Sequence, residues 1–252
     1  MDIALNCLDL LDSVAVSGSN EGVVRLWDTG SGKMRQRLDW SEFGAVNSVK
    51  LMAGDGGDLL LLSGHDDGQL VVSSVRQQAV NTLKILNHHD NILWSIDISS
   101  KFITTCSEDS RVAVYNREEI ATSQSPRYSL SAHSEAVTCV SLSDHVVTSG
   151  SRDRTVIVWS LCPDSSHYQV LAVLRGHQEI LHYVTQDDQR IYSSDDNGEL
   201  FVWDKKAVLE RGEGGEFGEE MVLRRVDYGE ERGAIDCILV RGNSARSHDT
   251  GQ

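Results

Sequence analysis

The sequence predicts an all-β chain assembled from repeated four-stranded units, on three observations. First, an acidic or amide residue stands six positions before an aromatic residue or its stand-in at five stations: Glu21/Trp27, Asp67/Ser73, Asp109/Tyr115, Asp153/Trp159 and Asn197/Trp203. Second, the later members of these pairs, at 27, 73, 115, 159 and 203, lie 46, 42, 44 and 44 residues apart, a period that belongs to repeat architectures. Third, the segments between stations are short β-branched or alternating runs closed by turn residues.

The fourth unit shows the internal grammar most plainly, as AVTCVSL, HVVTSGS, TVIVWSL and YQVLAVL. The polar turn Ser151-Arg152-Asp153-Arg154 between the second and third runs is tight enough to join antiparallel neighbours. Four such strands in a meander make one propeller blade. Aligned on this unit, the blades fall at about 3–38, 44–86, 91–130, 135–174 and 179–226, with the first blade's strands near 3–10, 13–19, 23–28 and 34–38. Three insertions between third and fourth strands, Arg117 to Pro126, Cys162 to His167 and Glu210 to Glu220, are expected to be exposed loops. GAIDCILV at 233–240 reads as one innermost strand of a sixth blade. Residues 1–240 therefore form one propeller domain in an incomplete or unusually closed ring, and the polar segment 241–252 is expected to be a disordered tail. Both prolines, Pro126 and Pro163, fall inside insertions, as strands elsewhere require.

Composition narrows the function classes. A formal charge of −15 argues against nucleic acid as the primary partner and against an anionic membrane surface, since both need clustered Lys and Arg; a protein partner with a basic segment suits it better. Asp2, Asp9 and Asp12 precede the first cation, Arg25, which is not the pattern of a secretory signal, and no apolar run approaches the ~20 residues of a membrane helix. Five cysteines without a CxxC pair read as reduced thiols, and Cys7, Cys139 and Cys237 share one repeat station. The expected compartment is the cytoplasm, the nucleus or both. No cofactor is expected. The Gly212 to Gly218 cluster carries Glu213 and Glu216, which would repel a phosphate, and His65-Asp66-Asp67 and His88-His89-Asp90 read as turn residues before metal ligands.

His133, Ser149 and Asp153 are the residue types of a hydrolase triad. The set recurs, however, as His89, Thr105 and Asp109 with Tyr115, and as His177, Ser193 and Asn197 with Trp203, beside Trp159 in its own unit. A catalytic site is not needed once per blade, whereas a buried hydrogen-bonded network is. With SGSRDRTVIVW at 149–159, SGSNEGVVRLWD at 17–28, SSDDNGELFVWD at 193–204, Ala132-His133 and Gly176-His177, the chain resembles the WD-repeat family from residue 3 to about 240. The resemblance implies that these four-residue sets are structural tetrads and that the protein is a non-catalytic interaction scaffold. Glu21, the absence of a His in the first unit, and Ser73 in the second mark the blades expected to be loosest. The short links in CLDLLDSVAVSGS and CVSLSDHVVTSGS look like those of the F-box/WD-repeat substrate receptors of ubiquitin ligases, although no F-box is present. Other multiprotein complexes of RNA processing, trafficking or signalling are the alternative, and a propeller enzyme the remotest one.

In similar WD-repeat proteins partners dock on the face carrying the loops before the first strands. Transferred residue by residue, that face takes Ile92, Trp94 and Glu108 from the third blade, Thr138 and Arg152 from the fourth, and Ile180, His182 and Asp196 from the fifth. Trp94, the isoleucines and Arg152 are residue types suited to an interface centre. Asp66, Glu108 and Asp196 would favour a basic segment, and a second chain completing the propeller is a further expected partner.

Overall fold

The computed structural model describes residues 4–54, 57–76, 79–162, 167–211, 214–218 and 221–227. Among these residues the strands form five sheets, each built on an antiparallel meander of chain neighbours. Blade 1 contains β1 (Leu5–Leu11), β2 (Val14–Ser19), β3 (Val23–Asp28) and β4 (Met34–Asp39), and blade 2 contains β5 (Val46–Ala53), β6 (Leu59–His65), β7 (Gln69–Arg76) and β8 (Ala79–Asn87). Blade 3 is β9 (Leu93–Ile98), β10 (Phe102–Ser107), β11 (Arg111–Asn116) and β12 (Tyr128–Ser131); blade 4 is β13 (Val137–Ser143), β14 (Val146–Ser151), β15 (Thr155–Leu161) and β16 (Tyr168–Arg175). Blade 5 consists of β17 (Leu181–Gln186), β18 (Arg190–Asp195), β19 (Glu199–Asp204) and, after an insertion, β21 (Val222–Asp227).

Middle strands are apolar on both faces because each blade is covered on both sides. In β15, Ile157 and Trp159 join the core shared with blade 3, while Val156 and Val158 join the core shared with blade 5. That arrangement explains why TVIVWSL reads as a continuous β-branched run. Among the described residues the core is accordingly four layers, one between each pair of successive blades. The innermost strands pack in chain order, β1 on β5, β5 on β9, β9 on β13 and β13 on β17.

Side chains satisfy part of the backbone that these inner edges leave unpaired. Asp9 accepts the Leu51 N–H at 2.6 Å, Ser48 Oγ that of Ile96 at 3.1 Å, and Asp97 that of Leu142 at 2.8 Å. The Thr138 hydroxyl donates to the Leu181 carbonyl at 2.5 Å. Each bond ties one inner strand to the next, so the edge that would otherwise invite another strand becomes an inter-blade joint.

The turn between second and third strands has the same geometry in every blade. Gly22, Gly68, Ser110, Arg154 and Gly198, each one residue past the repeated acid or amide, all have left-handed backbone (φ 75°, 84°, 68°, 67° and 76°). At Gly68 a Cβ would lie 2.6 Å from the His89 carbonyl oxygen and 2.7 Å from that of Asn91. The turn of blade 2 thus sits directly beneath the loop that enters blade 3.

The insertion of blade 5 departs from the expected exposed loop. Lys205–Arg211 form the helix α1, and Gly215–Phe217 form β20, which pairs in parallel with Ala172–Leu174 of β16. Val208 and Met221 are buried in the core between blades 4 and 5. The physical reason is the outer edge of β16, whose backbone groups are paired by β20. A strand held by backbone hydrogen bonds needs no alternation of side chains, so the Glu/Gly composition concealed it. The strand expected at 233–240 and the tail at 241–252 lie outside the described residues. Among the described residues no helix is long and apolar enough to cross a membrane.

Candidate protein-binding site

The residues that look catalytic form the interior supports of blades 3 to 5. In blade 4 His133 Nδ1–H donates to Asp153 Oδ2 at 2.9 Å, Ser149 Oγ lies 2.8 Å from His133 Nε2, and Trp159 Nε1–H donates to the same Ser149 Oγ at 2.8 Å. Burial opposes ionisation of Asp153, but bonds from His133, Thr155 and the Ser134 N–H hold its carboxyl well below the usual carboxylate range. Blade 3 repeats the set with His89 to Asp109 at 3.0 Å and to Thr105 at 2.8 Å, with Tyr115 hydrogen-bonded to Thr105. The same balance of burial and hydrogen bonds leaves Asp109 lowered to about 2. Every hydroxyl and imidazole nitrogen in these sets is already engaged inside the blade.

Blade 5 keeps His177, Ser193 and Trp203 but not the expected Asn197. His177 Nδ1–H donates to Asp195 Oδ2 at 2.8 Å, and Asp195 Oδ1 accepts the backbone N–H of Asn197 and Glu199 at 3.1 and 3.0 Å. His177 Nε2 lies 2.7 Å from Ser193 Oγ, which also receives Trp203 Nε1–H at 2.8 Å. A carboxylate makes the stronger, charge-assisted bond to the imidazole, so Asp195 displaces the neutral amide two positions on. The Asp195-Asp196-Asn197 run contained that signal.

In blade 2, where the usual His and Trp are absent, a different histidine, His65 at the end of β6, is fully buried. It lies 2.9 Å from Ser63 Oγ through Nε2 and makes T-shaped contacts with Trp40 and Phe43 at ring-centroid distances of 5.8 and 5.4 Å. Burial pushes its pKa down to about 4 despite neighbouring Asp66. In blade 1 the Trp27 indole still reaches Ser17 Oγ at 3.1 Å.

These supports hold the loops that surround the central channel. A cavity of about 890 Å³ is lined by all five inner strands, including Asn6, Asn47, Trp94, Thr138, Ile180 and His182, with Arg152 at its edge. Trp94 is half-buried on the core between blades 3 and 4. Its Nε1–H donates to Glu108 Oε2 at 2.7 Å, Glu108 Oε1 pairs with Arg152, and the Arg152 guanidinium lies 5.9 Å from the Trp94 ring centroid. Trp94, Glu108 and Arg152 are therefore one preorganised cluster bridging blades 3 and 4. His182 Nε2 lies 3.0 Å from Asp196 Oδ1 on blade 5.

Thr138 lines the cavity while donating its hydroxyl to the Leu181 carbonyl, and Ile92 is not among the lining residues, its carbonyl accepting the Glu108 N–H at 2.9 Å. Asp97, which also lines the cavity, has its pKa raised by burial and lies 3.7 Å from Lys50 Nζ.

Family comparison agrees with the blade geometry. The model of the WD domain, G-beta repeat, matches residues 80–116 and 124–160, stretches that end just after Tyr115 and Trp159. Over these two stretches the chain is similar to the WD-repeat family. The chain is similar to the 66 kDa stress protein of Physarum polycephalum (24% identity, 82% of the chain, 32% of that protein). It is also similar to Cell division control protein 4 of Saccharomyces cerevisiae (23%, 84% and 29%) and to Protein SPA1-RELATED 3 of Arabidopsis thaliana (25%, 77% and 23%). It thus spans less than a third of the length of each of these relatives.

Proposed function

We propose that this chain is a non-catalytic interaction module that receives a partner protein at the mouth of its central channel, over blades 3 to 5. The observation that carries this reading is the Trp94–Glu108–Arg152 cluster. An indole fixed at its nitrogen and covered by a guanidinium offers apolar area at little entropic cost on binding, the property of an interface anchor. Ile180 and His182 extend the surface onto blade 5, and Asp196 and Asp66 add acidic groups suited to a basic segment. Glu108 contributes less negative field than its position implies, because Arg152 neutralises it. The narrower role of substrate reception for a ubiquitin ligase is supported by the tight links between first and second strands, where Asp12 and Asp144 adopt left-handed backbone.

The test is quantitative affinity purification of the intact chain and of a Trp94→Ala/Arg152→Ala variant whose melting is checked alongside. Hot-spot truncations cost ~2 kcal/mol or more each, so specific partners should fall at least about tenfold. Unchanged recovery with an intact fold rules out this surface.

A further inference from the structure

The outer edge of blade 4 is covered, and the equivalent edge of blade 2 is not. In β16 the chain bulges at Leu171, and beyond the bulge Ala172, Val173 and Leu174 pair with Gly215, Glu216 and Phe217 of β20. Leu171 and Phe217 pack on the core layer between blades 4 and 5, and Val173 on the layer between blades 3 and 4. The bulge of β8 falls at Leu83. By their ladders to the third strands, Lys84, Ile85 and Leu86 of β8 stand where Ala172, Val173 and Leu174 stand in β16. Leu83 is 45% and Ile85 41% exposed, whereas Leu171 and Val173 are half-buried. Among the described residues no strand lies beside the outer edge of β8.

The remaining outer strands are poor templates. β4 carries Arg35, Arg37 and Asp39, β21 carries Arg224, Arg225 and Asp227, and β12 is four residues long. Charge and shortness both discourage pairing with a further strand. β8 runs for nine residues with Lys84 as its single charge. Beside Leu83 a groove of about 330 Å³ opens between blades 2 and 3, with Met52, Leu60 and Ile120 in its wall. It lies where β5 and β11 end, on the face away from Trp94, which stands near the start of β9. Arg117 in this groove donates to the carbonyl oxygens of Ser99 at 3.0 Å and Ala53 at 3.4 Å, and forms no ion pair among the described residues. Asp58 on the rim is held by Arg76 at 2.8 Å, so Arg117 and the adjacent Lys84 outweigh Glu118. The local charge is positive on a chain whose net charge is −15.

We infer that β8 receives an extended segment of a partner protein, which adds a strand at Lys84–Leu86, lays an apolar side chain beside Leu83 and turns a carboxylate to Arg117. The backbone edge supplies the affinity of such a pairing and the groove its selectivity. The cover that β20 gives to β16 is the intramolecular version of the same contact. The acid is set by charge complementarity, since a guanidinium bonded to neutral carbonyls keeps donors for a charge-assisted bond.

The test is selection of displayed random short peptides on the full chain, followed by synthesis of the enriched ones. They should combine alternating apolar residues with Asp or Glu. Their affinity should fall at least about tenfold in Leu83→Lys and in Arg117→Met, and when alternate peptide nitrogens are methylated. Leu83 is exposed, so melting of the Lys variant should match that of the parent chain, and Trp94→Ala/Arg152→Ala should bind the peptides as the parent does. A selection that yields no peptide sensitive to both single substitutions overturns the inference. So does sedimentation showing a dimer that Ile85→Lys dissolves, because a second copy would then occupy the edge.

Discussion

At the scale of single residues, the hydrogen-bond geometry ranks positions that look equivalent in the sequence. Asp195 is fully buried and serves His177 and two backbone N–H groups, whereas Asn197 only donates its backbone N–H to it. Asp195→Asn should therefore cost about 2–3 kcal/mol, the range for bonds to a charged group, and Asn197→Ala under about 1 kcal/mol; urea denaturation compares them. Gly68→Ala combines a left-handed backbone with backbone oxygens 2.6 and 2.7 Å from the new Cβ. A loss of at least about 1–2 kcal/mol is expected from the backbone alone. His65 gives a pH signature. Its folded pKa, about 4, lies below the ordinary 6.5, so the unfolded chain binds the extra proton between those values. Its contribution to stability is complete above pH 6.5 and falls as pH drops towards 4, by on the order of 3 kcal/mol. Melting curves between pH 7 and 4 should show that slope, and His65→Gln should lessen it.

At the scale of elements, the insertion after β19 carries structure that its composition hides. Met221 is 3% exposed in the layer between blades 4 and 5, while Leu209 on α1 is 37% exposed. Met221→Ala should cost about 2–5 kcal/mol and Leu209→Ala no more than ~0.5 kcal/mol, a contrast that thermal denaturation resolves. The strands of the meander were legible because burial on two faces leaves a β-branched imprint, as in β15. β20 was not, because its hold on β16 is a backbone pairing whose partner lies some forty residues away. The repeated left-handed residue after each turn acid was half legible: glycine announces it at 22, 68 and 198, while Ser110 and Arg154 do not.

At the scale of the whole molecule, blade packing converts a repeat into a channel with an organised mouth. Inner strands joined by Asp9, Ser48, Asp97 and Thr138 hold Trp94 and Arg152, from different blades, against one glutamate. The proposed binding and the stability are thereby separable: the tetrads lie inside the blades and the cluster lies at their edge. The Trp94→Ala/Arg152→Ala variant should accordingly leave cooperative unfolding in place while losing its partner. The exposure of Leu5, Leu8 and Leu10 on β1 belongs to this scale as well, since only comparison with the buried Val137, Val140 and Leu142 of β13 distinguishes them from scattered exposed leucines.

The sequence by itself determined the all-β class, the blade period, the membership of the tetrads in blades 3 and 4, and the reading of their histidines as structural. Each of those follows from local alternation or from a motif whose members recur at fixed spacing. The tertiary structure alone decided that Asp195 rather than Asn197 holds His177, that His65 is buried beside Ser63 in blade 2, that Thr138 serves a joint between strands, and that Glu108 is neutralised across a blade boundary. These are choices among chemically competent neighbours, and distance and burial, which depend on how distant segments stack, make them.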